Sequence, residues 1–600
     1  MIFDPRNTRY KSPYGAVPSG TRVRFALRPD RAKSFSRAVL TARFEQRGDE
    51  TVTVVLPWRA LSRGRDVFAG TLDVGEYTGL VWYTLRLEGF LGRFWESPEY
   101  QLTVYDPADP PASWFGEGIT YQIFPDRFCR LSVPDPTGMV GGRTVHYHWE
   151  EEPEYRPNEH GEIRNRDFFG GSLAGVRAKL PYLKELGVDT LYFCPIFEAP
   201  ENHRYGTGDY EKIDPMLGTN EEFSALCADA HALGMKILLD GVFNHTAFVS
   251  RYFNGDGSYP TLGAAQSQDS PYFPWFRFSH WPDKYECWWG IYSLPGVEES
   301  CPSYVNYIAA DENSIVRRWL RAGADGWRLD VADELPDEFL HQVHAAARAE
   351  NPDAVIIGEV WEDGSTKVAY GVRRRHIWGG HCDGLMNYPF RVALLAYLQG
   401  GDARQFKETM EALRENYPTW AFTSAMNSLG THDTPRILTL LGEGGDRKGD
   451  TSRDWRASHR LSPERRAWAI ALLKLAAVVL YAFPGSPTVY YGDEAGMEGF
   501  EDPFNRRTFP WGHEDADLTA WFAALGKARH DWSALRAGGI RWVRAENSIL
   551  AFVRGKGNDA VLAAVNRGDC PVRLTWKGQV VTVPPMNGGL WGPTDSVLTC

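Results

Sequence analysis

The chain has 600 residues, 43% hydrophobic and 24% charged, which is ordinary globular composition and enough length for two to four domains, one of them large. A formal charge of −12 gives no electrostatic reason to bind phosphate backbones, and no lysine or arginine cluster of the kind a nucleic-acid groove needs is present; a neutral ligand is expected. The first twenty residues, MIFDPRNTRYKSPYGAVPSG, carry charges and prolines and no apolar run, so neither a secretory leader nor a membrane span is read there and the cytoplasm is the expected location.

Residues 1 to 108 alternate in the strand manner (TRVRFALRP, VTVVLPW, VWYTLRLEG, YQLTVYDP) with Gly, Asp and Pro turns between, the pattern of an N-terminal β-sandwich. The proline-rich stretch YDPADPPAS, 105 to 113, reads as an extended connector. From 113 onward short apolar runs alternate with helix-like stretches. The strand candidates are ITYQIF, DTLYFCPIF, KILLDGVFNH, ADGWRLDV, AVIIGEV, DGLMNYPF, NSLGTHD and PTVYYGDE, and eight such units predict a (β/α)₈ barrel over 113–245 and 311–532. The aromatic- and glycine-rich stretch 246–310 is too long for an ordinary loop and reads as an inserted domain B. Strand alternation returns over 533–600 as a C-terminal β-domain. The fold class is therefore multidomain α/β.

The eight cysteines are scattered, with no zinc-ligand or redox spacing, and read as reduced, mostly buried thiols. Twenty-two tryptophans and twenty-seven tyrosines hint at carbohydrate, whose C–H faces pack on aromatic rings, although most aromatics serve a core. Trp58, Trp82 and Trp95 in the amino-terminal sandwich are candidates for a sugar platform, with core or interface packing the stronger reading.

Barrel enzymes carry their catalytic groups at the C-terminal ends of strands. The third strand ends in Asp240, Asn244 and His245, the fourth in Arg328 and Asp330, the fifth in Glu359, and the seventh in His432 and Asp433. Each alone could be a salt-bridged strand terminus; four charged ends together point to chemistry, because buried carboxylates are costly unless paired. Glycoside hydrolysis needs one carboxylate to attack and another kept protonated to release the leaving oxygen. On this reading Arg328 holds Asp330 ionised, desolvation raises Glu359, and His245 and His432 donate hydrogen bonds to sugar hydroxyls.

These strand ends resemble the short sequence regions of the α-amylase superfamily: DGVFNH (240–245), GWRLDVADE (326–334), GEVW (358–361) and LGTHDT (429–434). YQIFPDRF (121–128), HRYGTGDY (203–210), YYGDEAGM (490–497) and DPFNRR (502–507) are similar to the branch containing neopullulanase, cyclomaltodextrinase, maltogenic amylase and amylopullulanase. The resemblance implies a retaining α-glucan hydrolase with Asp330 as nucleophile, Glu359 as acid/base and Asp433 as transition-state stabiliser. It implies that His203 and Tyr205 line the donor side, that Asp502 and Arg506 bind the next sugar outward, and that Trp361 touches the acceptor side. A calcium loop often follows the first strand in this branch; here FCRLSVPDPTG and Ser172 depart from it, and Asn244 lacks its usual Lys-His companions, so no metal or other cofactor is expected. The expected partners are an α-glucan and, through the sandwich, a second copy of the chain, with neither nucleic acid nor membrane. The alternatives are a 4-α-glucan transglycosylase on the same scaffold and a non-catalytic glucan-binding protein.

Overall fold

A computed structural model describes all residues except 109–113, 445–450 and 594–595. The second half of the proline-rich connector therefore lies outside the described residues. Two compact units partition the chain: Met1–Pro111 with Asp363–Gly384 and Glu408–Phe422, and Ala112–Glu362 with Leu385–Lys407 and Thr423–Cys600.

The first unit is built on two sheets, one of four strands and one of six. Their alternating strands place Val23, Phe25, Leu27, Leu40, Ala42, Val81, Tyr83, Leu85, Leu87, Leu102 and Val104 in one apolar core. The segments 363–384 and 408–422, read from sequence as barrel, belong to this unit. Arg373 pairs with Glu45 at 2.7 Å, Ser365 Oγ accepts from Gln101 at 3.0 Å, and Arg6 Nε pairs with Glu415 at 2.9 Å. Trp58 is 53% exposed with its indole N–H on Asp66, and Trp82 donates to Glu45 while Trp95 packs on the sandwich core.

The second unit holds the barrel. Its parallel strands are β1 (Thr120–Ile123), β2 (Thr190–Phe193), β3 (Lys236–Gly241), β4 (Gly326–Leu329), β5 (Val355–Gly358), β6 (Gly384–Leu385), β7 (Met426–Ser428) and β8 (Ser486–Tyr490). They pair in the order β6-β5-β4-β3-β2-β1-β8-β7, and a parallel bridge between Met386 and Met426 joins the two ends. Strands buried on both faces need continuous apolar runs, and ILL, VII and TLYF supply them. Gly326 is dictated by close approach: a Cβ there would lie 2.2 Å from the Val355 carbonyl oxygen. Helix Asn220–Ala232 opens with a capping box between Thr219 and Glu222, and Pro463–Ala482 with a Ser462 cap and Pro at its first turn. Between β1 and β2 lie two short helices, Leu173–Ala178 and Leu180–Glu185, with Pro181 at the break. Residues 246–310 form a largely irregular insert held by ring contacts among Phe253, Phe276, Phe278 and Tyr285. Residues from Ile540 onward form a five-stranded antiparallel sheet and a hairpin around Ile549, Val553, Leu562, Leu574 and Val583.

Candidate active site

Strand register builds the site. Asp240 on β3 and Arg328 on β4 are direct neighbours, and Arg328 faces Ile357 on β5. One residue pair further along, the Asp330 N–H donates to Gly241 O, and the Glu359 N–H to Leu329 O, both at 3.0 Å. The side chains of Asp240, Arg328, Asp330 and Glu359 therefore emerge together at the C-terminal mouth.

Arg328 is wholly buried and organises three acids. Its Nη1 lies 2.8 Å from Asp240 Oδ1 and from Asp330 Oδ1, and its Nη2 lies 2.8 Å from Glu359 Oε2. Asp240 also accepts from the hydroxyls of Tyr192 at 2.7 Å and Tyr205 at 2.8 Å. Glu359 Oε2 accepts the Val331 N–H at 2.9 Å. Val331, a β-branched residue, sits at φ +40°, where such side chains are strained, and that turn aims its N–H at the acid.

The electrostatics differ from the sequence-based expectation. Burial pushes Asp330 well above the ordinary carboxylate range; Arg328 opposes this and Glu359 reinforces it. Asp433 is raised to about 7, first by burial and then by the Glu359 charge. A single guanidinium shared among three carboxylates does not by itself offset the burial of Asp330, and Glu359 competes with it for Arg328 while also accepting the Val331 N–H. Sequence spacing showed the Arg328–Asp330 pair but not the other two claimants on Arg328.

The histidines are neutral. Burial lowers His432 far below its ordinary value, with Arg506 and Arg328 adding to the effect, and lowers His245 to about 4. Gln122 Nε2 is 2.9 Å from His432 Nδ1, so that nitrogen accepts and the proton sits on Nε2, which lies 3.2 Å from Asp433 Oδ2. His245 Nδ1 is 3.1 Å from Asn244 Oδ1, whose amide side faces Glu299, and the ring also meets the Tyr205 backbone.

The remaining sequence candidates lie around this centre. Tyr205 stacks on His432 at 5.0 Å and 8°, and its N–H donates to His203 Nδ1 at 3.1 Å. Burial lowers His203 to about 3. Arg506 pairs with Asp502 at 3.1 Å, approaches Asp433 at 3.7 Å, and donates to the His432 carbonyl at 3.0 Å. Trp361 is 45% exposed and stacks on Tyr388 at 3.9 Å and 11°. The sequence reading missed Gln122, Tyr192, Tyr388 and Asn505, which orient or support the others from within quoted or neighbouring motifs. It also missed Trp288, which stacks on His245 at 5.2 Å, and Glu334, which accepts both the Trp288 and Trp289 indole N–H groups. Aromatic crowding in 246–310 was their one signal.

Calcium after β1 would need converging oxygen ligands. Asp135 is turned onto Thr137, Ser172 caps helix Leu173–Ala178, and Asn244 is committed to Glu299 and His245. Among the described residues no three His, Cys, Asp or Glu side chains gather at metal-binding distance. These residues do not fit a calcium ligand set.

An eight-stranded parallel barrel with acids from β3, β4, β5 and β7 at one mouth defines a barrel protein with a carboxylate centre. The chain belongs to the α-amylase family: residues 122–559 match the alpha amylase catalytic domain. It is 37% identical over 530 residues to an amylopullulanase of Thermoanaerobacterium saccharolyticum, covering 80% of this chain and 40% of that protein. It is 32% identical over 493 residues to neopullulanase 2 of Thermoactinomyces vulgaris, covering 80% and 73%. The solved type III pullulan hydrolase from Thermococcus kodakarensis aligns with a TM-score of 0.67 at 26% identity, over 98% of this chain and 99% of that one. The chain spans less than half the length of the amylopullulanases it matches. Among the described residues no helix is long and apolar enough to cross a membrane.

Proposed function

We propose that the chain is a retaining glycoside hydrolase that cleaves α-1,4 and also α-1,6 glucosidic bonds of maltooligosaccharides, cyclodextrins, pullulan or starch fragments. The observation that carries this reading is the gathering of Asp330, Glu359 and Asp433 at three strand ends around Arg328, between neutral histidines. Its relatives include a neopullulanase, a cyclomaltodextrinase and a pullulan hydrolase, which supports the substrate class.

Asp330 attacks C1 as Glu359 delivers a proton to the glycosidic oxygen, and the C1–O bond breaks to leave a glucosyl ester on Asp330. Glu359, now the carboxylate, takes a proton from water; the water oxygen bonds to C1 and the ester opens, restoring both acids. Burial raises Asp330 and Asp433, so the centre retains a proton; its passage from Asp330 to Glu359 leaves the nucleophile ionised and the acid loaded. Asp433 then accepts from sugar hydroxyls as charge develops. The reaction uses no cofactor. Eight free cysteines suit a reducing compartment, in keeping with the cytoplasm.

Wild type and Asp330→Asn are incubated with maltotriose, β-cyclodextrin, pullulan and panose, and products are followed in time. Cleavage of at least one by the wild type and a loss of about 10⁴-fold or more in the variant is expected. Glucan binding without turnover by the wild type would overturn the reading. Longer products from concentrated maltotriose would show a sugar hydroxyl resolving the ester in place of water.

A further inference from the structure

Segment 502–508 has two faces. Arg506 turns toward Asp433 and Asp502, while Arg507, the next residue, turns into a separate cavity of ≈ 330 Å³ among the connections that follow β1, β7 and β8. That volume falls within the range of small-ligand sites, about 300–1,000 Å³. Its polar lining is pre-paired. Glu152 bridges Arg507 and Arg460, each at 2.7 Å, and Arg466 pairs with Glu498 at 2.7 Å. Trp149 lines the wall with its indole N–H bonded to Phe509 O at 2.9 Å, which fixes the ring.

Three arginines and four glutamates line the cavity, so it carries no excess positive charge to call for an anion. Arg507 is spent on Glu152 and the carbonyls of Ala457, Glu498 and Phe504, but Arg460 and Arg466 keep unused N–H groups beside Glu152 and Glu498, donors and acceptors side by side as neighbouring hydroxyls of a sugar require, and an indole offers an apolar surface for its C–H face. The catalytic mouth uses the same kind of pair in Arg506 and Asp502.

We propose that this cavity is a second α-glucan site, distinct from the catalytic mouth, that holds a segment of one or two glucosyl units. The ligand class rests on the α-glucan reading above. A chain held here is anchored beside the segment that carries Arg506, which raises the local concentration of its other parts at the acids.

Asp330→Asn protein, which stops turnover, is titrated calorimetrically with maltotriose. Two classes of site are expected. Trp149→Ala and, independently, Arg460→Ala in that background weaken one class about tenfold, ~1.4 kcal/mol, and leave the other unchanged. One class in the parent, both classes falling together, or displacement of the second by inorganic phosphate would overturn the proposal. Hydrolysis of maltotriose by wild type, assayed in parallel, reports on the α-glucan reading separately, and Trp149→Ala in the wild-type background is expected to keep that rate within about twofold.

Discussion

The amide of Gln122 donates to Nδ1 of His432, and this one bond sets what the imidazole offers to Asp433. With Nδ1 occupied as an acceptor, the proton stays on Nε2 and faces the carboxylate. Gln122→Leu, close in size but unable to donate, removes that constraint and leaves a buried ring nitrogen unpaired at a cost of about 1–3 kcal/mol. The expected result is a 10- to 100-fold loss in kcat with KM nearly unchanged; an unaltered kcat would show that the tautomer does not matter. Asp433 supplies a pH-dependent case. Its pKa is raised to about 7 in the folded chain against ~3.9 for an unfolded aspartate, so the folded state keeps a proton that the unfolded state releases. Stability is therefore lost as pH rises from about 4 to about 7 and stays lower above. The side chain is 31% exposed to the cleft, so water reduces the penalty well below ~1.4 kcal/mol per pKa unit. Asp433→Asn is expected to melt about 2 °C above wild type at pH 8 and level with it at pH 4. An equal difference at both pH values would assign the effect to packing.

Strands β4 and β5 carry the site, and two residues show how tightly. At Gly326 any side chain meets the Val355 carbonyl, so Gly326→Ala forces the two strands apart and is expected to abolish soluble protein. Val331, just after β4, holds φ +40° so that its N–H reaches Glu359. Glycine adopts that angle freely, and relief of ~1–3 kcal/mol of strain is offset by its greater unfolded-chain entropy. Val331→Gly should keep its melting temperature within about 2 °C and its kcat within about threefold. Val331→Pro removes the N–H and demands φ near −65°, so activity should vanish. Much of this element scale was legible in the sequence. Parallel strands buried on both faces write themselves as apolar runs, and acids at their ends stand out against that background. The short β6 and β7 were legible only through DGLMNYPF and NSLGTHD, and the insert 246–310 not at all in detail, because ring packing there follows no period. Nor could spacing show that Arg328 serves three carboxylates, since Asp240 and Glu359 reach it from other strands.

At the scale of the whole chain, sequence order misleads about what folds together. The sandwich unit is discontinuous: Met1–Pro111 is completed by Asp363–Gly384 and Glu408–Phe422, which periodicity assigned to the barrel because they lie between its strands. Within that unit Glu45 holds Arg373, the Asp106 N–H donates to Trp378 O at 2.8 Å, and Arg6 reaches Glu408 and Glu415. A chain begun at Ala112 keeps both later segments but strips them of the strands they pack on. Exposed segments with unpaired backbone groups are where proteases cut. Limited proteolysis of the truncated chain is therefore expected to cleave within 363–384 and 408–422, while the full-length chain resists there under the same conditions. If the truncated chain is equally resistant, those segments hold their structure without residues 1–111, and the amino-terminal sheets form a dispensable appendage instead of the larger part of one interleaved unit.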